Sequence, residues 1–209
     1  MSSAAEPFLR FTAVVDADDP GVRRLAADLR HGRPSHQDIA RACFEWVRDE
    51  VRHSVDYRLD PVTCSASEVL QERTGFCYAK SHLLAALLRA SGIPAGFVYQ
   101  RLALDDLGHA FCLHGLNAVW LPEVGWYRID ARGNRADLRA TFDPPREVLP
   151  YAVAMPGERL FPQVWAEPVP LVIDALRRHR TRAELEANLP DATDSDLPSA
   201  PVGIAREFK

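Results

Sequence analysis

Hydrophobic residues along this chain fall first into helical spacings, then into extended runs, and last into short stretches broken by proline. Asp19 and Pro20 suit the first turn of a helix that should run to about Arg30. Ser35 suits the N-cap of a second helix, because apolar residues recur after it every three or four positions. The buried face of that helix is formed by Ile39, Cys43, Trp46 and Val47. The N-terminal part therefore predicts two amphipathic helices, preceded by a strand over residues 8–15.

A third, more apolar helix begins near Cys77 and ends at Gly92, where Pro94 directly beyond supplies a stop signal. Its periodicity predicts that Lys80 and His82 lie on the solvent side. Its packed side is formed by Ala79, Leu83, Ala86, Leu87 and Ala90.

Three extended runs follow, over residues 95–104, 110–121 and 126–131, joined by turns at 105–108 and 122–125. Successive hairpins of this kind predict an antiparallel sheet packed against the helices, which is an α+β fold. Beyond residue 134, repeated prolines leave loops, and only residues 171–179 and 183–189 have helical patterns. We therefore expect a core over residues 1–140 and a proline-rich extension over 141–209, packed on the core or partly loose.

Composition narrows the class of protein. The chain has 25 basic and 29 acidic residues and a net charge of −4, so a nucleic-acid partner is not expected. Residues 1–10 lack the pattern of a signal peptide, and no apolar run is long enough to span a bilayer. The four cysteines form no C-x-x-C pair, which is typical of free thiols in a reducing compartment. We expect a cytoplasmic protein without membrane partners.

Cys77 combines a nucleophilic side chain with a position at a helix start. An ordinary cysteine is mostly protonated at neutral pH, but backbone N–H groups and the helix dipole favour the thiolate there. The same N–H groups can stabilise an oxyanion beside the sulfur. A histidine and an aspartate on two later strands, His114 and Asp130, would complete a set of nucleophile, base and orienting carboxylate.

Two histidines compete for the role of base, and strand register separates them. If the turn at 122–125 pairs Leu121 with Gly125, His114 lies diagonally across from Asp130 on the same face of the sheet. His109 would instead lie opposite a residue seven positions beyond Asp130, roughly 23 Å away and on the other face. The register therefore favours His114.

Each of these residues also has a structural interpretation. Cys77 could be a buried thiol, His114 a sheet histidine with satisfied hydrogen bonds, and Asp130 a partner of Arg132. A zinc site would require an unusual spacing of ligands. Its candidates are Cys64, Cys77, Cys112 and His114.

A family resemblance adds to this interpretation. Residues 74–95, TGFCYAKSHLLAALLRASGIPA, resemble the nucleophile segment of the transglutaminase-like superfamily, in which G-x-C opens a helix ending in R-A-x-G-I-P-A. His114 and the G-W-Y-R-I-D motif ending at Asp130 resemble the family's histidine strand and its G-W-x-x-x-D strand. One feature departs from the pattern, because the family's histidine is commonly followed by Ala and an aromatic residue, as His109 is here. The resemblance covers about residues 36–134.

The resemblance implies a papain-like, transglutaminase-like α+β core and a cysteine-dependent peptidase, amidase or acyltransferase that works through a thioester. It implies Cys77 as nucleophile, His114 as base and Asp130 as orienter, with no cofactor and no metal, acting on a peptide or another amide. Tyr78, beside the nucleophile, is a candidate substrate-binding residue. The alternative from another class is a catalytically silent interaction module that keeps the fold.

Overall fold

A computed structural model describes residues 3–200 of the chain. After a 3-10 helix at Ser3–Leu9, the helices are α1 (Pro20–Arg30), α2 (His36–Glu50), α3 (Ser54–Tyr57), α4 (Ala66–Glu72), α5 (Cys77–Ala90), α6 (Pro170–Arg178) and α7 (Arg182–Glu186). The strands are β1 (Arg52–His53), β2 (Thr74–Gly75), β3 (Ala95–Ala103), β4 (Phe111–Leu121), β5 (Gly125–Ile129), β6 (Thr141–Asp143), β7 (Arg146–Val148) and β8 (Arg159–Leu160). This mixture of helices and antiparallel sheet confirms the α+β fold.

The main sheet has the strand order β5-β4-β3-β8, with every neighbouring pair antiparallel. Leu121 pairs with Gly125 and Asn117 with Ile129, which confirms the predicted register. Because β5 ends at Ile129, Asp130 follows directly at the edge of the sheet. The hairpin thus brings the C-terminal end of β5 beside the middle of β4, where His114 lies.

Helix α5 is the centre of the fold, since α1, α2 and α4 pack around it and β3 and β4 lie against it. All its side chains from Cys77 to Arg89 are buried. The predicted exposure of Lys80 and His82 is therefore wrong. Helical periodicity identified one packed side of α5, but the other side is covered by the second layer of the fold.

Lys80 is buried with its amine hydrogen-bonded to backbone oxygens. Its Nζ donates to the carbonyl oxygens of Arg48 and Val51, at the C-terminal end of α2. The carbonyls there have no helical donor and carry the negative end of the helix dipole. His82 is held in a similar way by a 2.7 Å contact between its Nδ1 and the Cys64 carbonyl oxygen.

The predicted strand over residues 8–15 is also wrong. The 3-10 helix occupies its first residues, and Thr12 then closes a turn by accepting hydrogen bonds from the N–H groups of Val14 and Val15. Both valines are buried, although they are consecutive. A turn, rather than a strand, therefore carries both valines into the core.

The chain beyond residue 140 adds to the core. β8 extends the main sheet next to β3, and β6 and β7 form a separate hairpin. The Pro190 carbonyl accepts a 2.7 Å hydrogen bond from the N–H of Leu113 in β4. Within residues 3–200, no helix is long and apolar enough to cross a membrane.

Candidate active site

Cys77 is the first residue of α5, and the chain before it fixes how it enters the helix. Gly75 in β2 packs so closely that an added Cβ would lie 3.1 Å from both Thr63 Oγ1 and the Ala79 Cβ. The first intrahelical hydrogen bond runs from the Lys80 N–H to the Phe76 carbonyl at 2.9 Å. The N–H groups of the preceding turn therefore have no helical acceptor and surround the Cys77 sulfur with positive potential.

His114 and Asp130 form a buried hydrogen-bonded pair. His114 Nε2 donates to Asp130 Oδ2 at 2.5 Å, and the N–H of Arg132 donates to Asp130 Oδ1 at 2.8 Å. Asp130 is 1% exposed. A buried carboxylate is stable when its oxygens are hydrogen-bonded, so both partners hold this one in a fixed orientation.

Cys77 and His114 line the same cavity, and the charge of a Cys77 thiolate acts on the His114 ring. Because Nε2 is bonded to Asp130, Nδ1 is the ring nitrogen left to exchange a proton with the sulfur. Burial lowers the pKa of His114, but the Asp130 carboxylate and the Cys77 sulfur outweigh it and raise the pKa to about 10. The protonated imidazole is thus the favoured form at neutral pH, and it stabilises a neighbouring thiolate.

A second layer of charges, which the sequence did not predict, supports Asp130. The Arg132 guanidinium forms two hydrogen bonds to Asp56, at 2.6 and 2.8 Å, while its backbone N–H contacts Asp130. Asp56 lies in α3, a segment whose short sequence gives no helical periodicity. Burial raises the pKa of Asp56, but the Arg132 hydrogen bonds, with the charges around it, outweigh burial and lower it. The pair ties α3 to the backbone that carries the candidate orienting carboxylate.

His53 is a buried imidazole on the cavity wall beside Cys77. Burial lowers its pKa well below the ordinary value, and the Arg132 charge adds to this, so the ring is neutral. Its Nδ1 lies 3.9 Å from Asp56 Oδ2, and no residue in the described part of the chain hydrogen-bonds to it. No motif in the sequence marked this histidine.

The close packing of α5 on β4 explains the glycine after His114. A Cβ at Gly115 would lie 2.9 Å from Cδ1 and 3.3 Å from Cα of Tyr78. The Tyr78 hydroxyl donates to the Leu113 carbonyl on the same strand. Tyr78 therefore holds the start of α5 against β4, the strand that carries His114. Tyr78 also borders the cavity. Its predicted role in substrate binding stays a prediction.

His109 lies outside this arrangement. It is exposed in the turn between β3 and β4, where its backbone N–H donates to Asp105 Oδ1 at 3.2 Å. The structure therefore brings Cys77, His114 and Asp130 together and leaves His109 at the surface.

Cys77 opens onto a small cavity with a volume of about 200 Å³. His114, Arg132 and Tyr151 line it, and the Tyr151 ring stands edge-on to the His114 ring with centroids 4.8 Å apart. Cys112 also lies on this wall. Among residues 3–200, no group of three or more His, Cys, Asp or Glu side chains is arranged to hold a metal ion.

Comparison with known proteins identifies the family to which the sequence is similar. Residues 23–131, just over half the chain, match the model of the transglutaminase-like superfamily. Over 123 residues the chain is 32% identical to a protein-glutamine gamma-glutamyltransferase of Pseudomonas aeruginosa, a match that covers 54% of this chain and 18% of that protein. This chain thus spans less than a fifth of that relative's length.

Solved structures give weaker matches. The periplasmic domain of TgpA from Pseudomonas aeruginosa is 26% identical with a TM-score of 0.48, over 61% of this chain and 46% of that one. A crystal structure of a TGase is 18% identical with a TM-score of 0.42, over 62% of this chain and 35% of that one. Because the family match extends over more than half of its residues, this chain belongs to the transglutaminase-like superfamily.

Proposed function

We propose that this protein is a cysteine-dependent acyl-transfer enzyme that opens an amide through a thioester on Cys77. The observation that carries the proposal is the placement of the His114 ring. Asp130 holds its Nε2 at 2.5 Å, and Cys77 lines the same cavity as the ring. A nucleophile, a base and an orienting carboxylate in this order form the arrangement used in nucleophilic acyl transfer.

In the first half of the reaction, the Cys77 thiolate attacks the carbonyl carbon of the amide, and the carbonyl electrons move onto its oxygen. The N–H groups at the start of α5 stabilise this oxyanion. The oxyanion then collapses and the carbon–nitrogen bond breaks. The protonated His114 gives its proton to the leaving nitrogen, so an amine departs and the acyl group stays on the sulfur.

In the second half, neutral His114 takes a proton from the attacking molecule. Attack by water breaks the carbon–sulfur bond and releases a carboxylic acid, whereas attack by a primary amine releases a new amide. Both outcomes regenerate the Cys77 thiolate and the protonated His114. Asp130 keeps the ring in place through both halves because its carboxylate accepts the Nε2 hydrogen.

The substrate that we propose is a peptide or another amide. The relative in Pseudomonas aeruginosa is named a protein-glutamine gamma-glutamyltransferase, which favours transfer to an amine as one of the two outcomes. Hydrolysis is the other outcome, because the same thioester reacts with water wherever water enters the cavity.

Trapping the thioester tests the proposal. The protein is incubated with a library of peptide amides, quenched in acid and digested, and the peptide that contains Cys77 is examined by mass spectrometry. We expect an acyl adduct on Cys77 that disappears with neutral hydroxylamine. A second reaction with a fluorescent primary amine separates transfer from hydrolysis. Activity that persists in Cys77→Ala would overturn the proposal.

A further inference from the structure

The cavity beside Cys77 has walls that are mainly apolar. It lies between the β3–β4 hairpin, the start of α5 and two segments of the C-terminal extension. Its lining includes six residues with larger apolar side chains, which are Val55, Phe76, Leu102, Leu104, Leu113 and Leu189. We call this set of six residues the acyl pocket.

Two polar side chains around the acyl pocket are already paired within the protein. The Tyr78 hydroxyl donates to the Leu113 carbonyl, and the Arg132 guanidinium is paired with Asp56. His53, on the same wall, is neutral, and its Nδ1 has no hydrogen-bond partner among the described residues. A charged side chain that enters between these mainly apolar walls would lose its water, which is costly.

The size of the cavity limits what can enter it. Sites for drug-sized ligands measure roughly 300–1,000 Å³. The volume of about 200 Å³ here suits one compact side chain and leaves no room for an extended chain. Two walls are also fixed before a ligand arrives. Gln100 Nε2 donates to the Tyr151 carbonyl at 3.1 Å, and the Leu113 N–H donates to the carbonyl of Pro190, next to Leu189, at 2.7 Å.

Tyr151 and Leu189 lie outside the residues that match the family, which end at 131. The C-terminal extension therefore completes the wall of the cavity around the acyl group. This part of the wall lies outside the region that matches the family. Leu104, at the end of the hairpin, keeps 53% of its surface exposed while it borders the cavity. An apolar side chain in that position is available to contact a ligand as it enters.

We propose that the acyl pocket selects acyl donors with a compact apolar side chain, of leucine or phenylalanine type, beside the carbonyl that Cys77 attacks. Polar or charged donors of glutamine, glutamate or lysine type are disfavoured. The proposal rests on the proposed function, since the pocket is defined relative to the nucleophile. It assigns the choice of donor to the hairpin residue Leu104 and to Leu189 of the C-terminal extension.

A donor series tests the proposal. N-acetyl aminoacyl amides of 7-amino-4-methylcoumarin, with leucine, phenylalanine, glutamine, glutamate or lysine side chains, are compared by kcat/KM. We expect the leucine and phenylalanine donors to exceed the others at least tenfold, since a mismatch of a few atoms in an apolar pocket changes rates by about 10–200-fold. Acetylation of Cys77 by p-nitrophenyl acetate, which has no side chain, reports the nucleophile separately.

Matched variants locate the selectivity. Leu104→Asn should reduce the leucine-over-glutamine ratio at least threefold, and acetylation by p-nitrophenyl acetate is measured on the same variant as the reference rate. The double variant Leu104→Asn, Leu189→Asn should reduce it further. Leu107→Asn is the control, because Leu107 lies in the same hairpin with 75% of its surface exposed and does not border the cavity.

Failure of this inference is distinguishable from failure of the proposed function. Normal acetylation of Cys77 combined with equal kcat/KM for leucine and glutamine donors overturns the inference alone. Without any acetylation, the proposed function fails, and the pocket is then tested by binding. Protection of Cys77 from iodoacetamide by N-acetyl-leucine amide, but not by N-acetyl-glutamine amide, supports the apolar selectivity. Equal protection by both overturns it.

Discussion

His114 Nε2 lies 2.5 Å from Asp130 Oδ2, although β5 ends one residue before that aspartate. The hairpin register brings the two strands into position, and the Arg132 N–H fixes the second carboxylate oxygen. The imidazole is thus oriented by a group outside the regular sheet. The chemistry proposed for Cys77 depends on this pair.

Removing the thiol should abolish turnover. Cys77→Ala should have no activity above background, because no thioester can form. Cys112→Ala is the matched control, since Cys112 borders the same cavity, and Cys43→Ala is a control for burial. Both controls should keep activity, apart from losses of stability.

Alkylation by iodoacetamide over a range of pH separates an enzyme from a silent module. We expect Cys77 to react well below pH 8, because the protonated His114 and the N–H groups of α5 favour its thiolate. Cys112 should not react there, since burial raises the pKa of its thiol to about 12. Slow alkylation of Cys77 at pH 6–7 would favour the silent module.

Asp130→Asn should change both the rate and its pH dependence. The Asp130 charge contributes to the raised pKa of His114, which is about 10, so turnover should decline only as pH rises toward that value. In the variant, the Asp130 charge no longer opposes the effect of burial, so the pKa of His114 falls. The decline of turnover at high pH should therefore move toward neutral pH. We expect kcat to fall by roughly 10⁴-fold, by analogy with the same substitution in a serine protease triad. The measurements are kcat and kcat/KM from pH 5 to 11.

Asp137→Asn serves as the control for that profile. Asp137 is an exposed aspartate that pairs with Arg135, so its loss should leave the pH profile unchanged. An unchanged alkaline decline in Asp130→Asn would contradict the assignment of Asp130 as the group that sets the His114 proton affinity.

Asp56→Asn should destabilise the protein in a pH-dependent way. The variant loses the charged partner of Arg132, at a cost of about 1–3 kcal/mol in the free energy of unfolding at neutral pH. Because folding lowers the pKa of Asp56, its contribution is present above the unfolded value, near 3.9, and is lost as pH falls through the folded value. Urea denaturation at pH 7 and at pH 3 should therefore show a gap between wild type and variant that narrows in acid.

The contributions of Lys80 and His114 to the free energy of unfolding should change with pH in opposite directions. Burial lowers the pKa of Lys80 to about 7, so the unfolded chain binds more protons above that pH and stability rises with pH. His114 does the reverse between about 6.5 and 10, because its folded pKa is raised and stability is lost as pH rises. In the wild type the two slopes largely cancel.

Lys80→Met removes the rising contribution and leaves that of His114. Its free energy of unfolding should fall between pH 7 and 9 by up to about 1.4 kcal/mol per pH unit. Urea titrations at pH 7, 8 and 9 measure this slope. A stability that rises with pH in this variant would contradict the account.

Local patterns predicted the elements that carry the candidate triad. The turn after Leu121 fixed the register, and the stop signal at Gly92 fixed the end of α5. The surroundings of individual side chains were harder to predict from the sequence. Periodicity along α5 could not show that helices cover one side of it and the sheet covers the other. Lys80 was therefore misplaced. Asp56 and Tyr151 reach the site from short or irregular segments, whose positions depend on contacts between residues far apart in sequence.

The burial of Lys80 has a consequence for the fate of the acyl group. Within residues 3–200 the sequence contains no other lysine, and this one is 1% exposed, with its amine enclosed at the end of α2. The folded core thus offers a thioester no lysine of its own to modify. In the proposed transfer to an amine, the acceptor therefore has to come from outside residues 3–200, and self-cross-linking of the core through lysine is excluded.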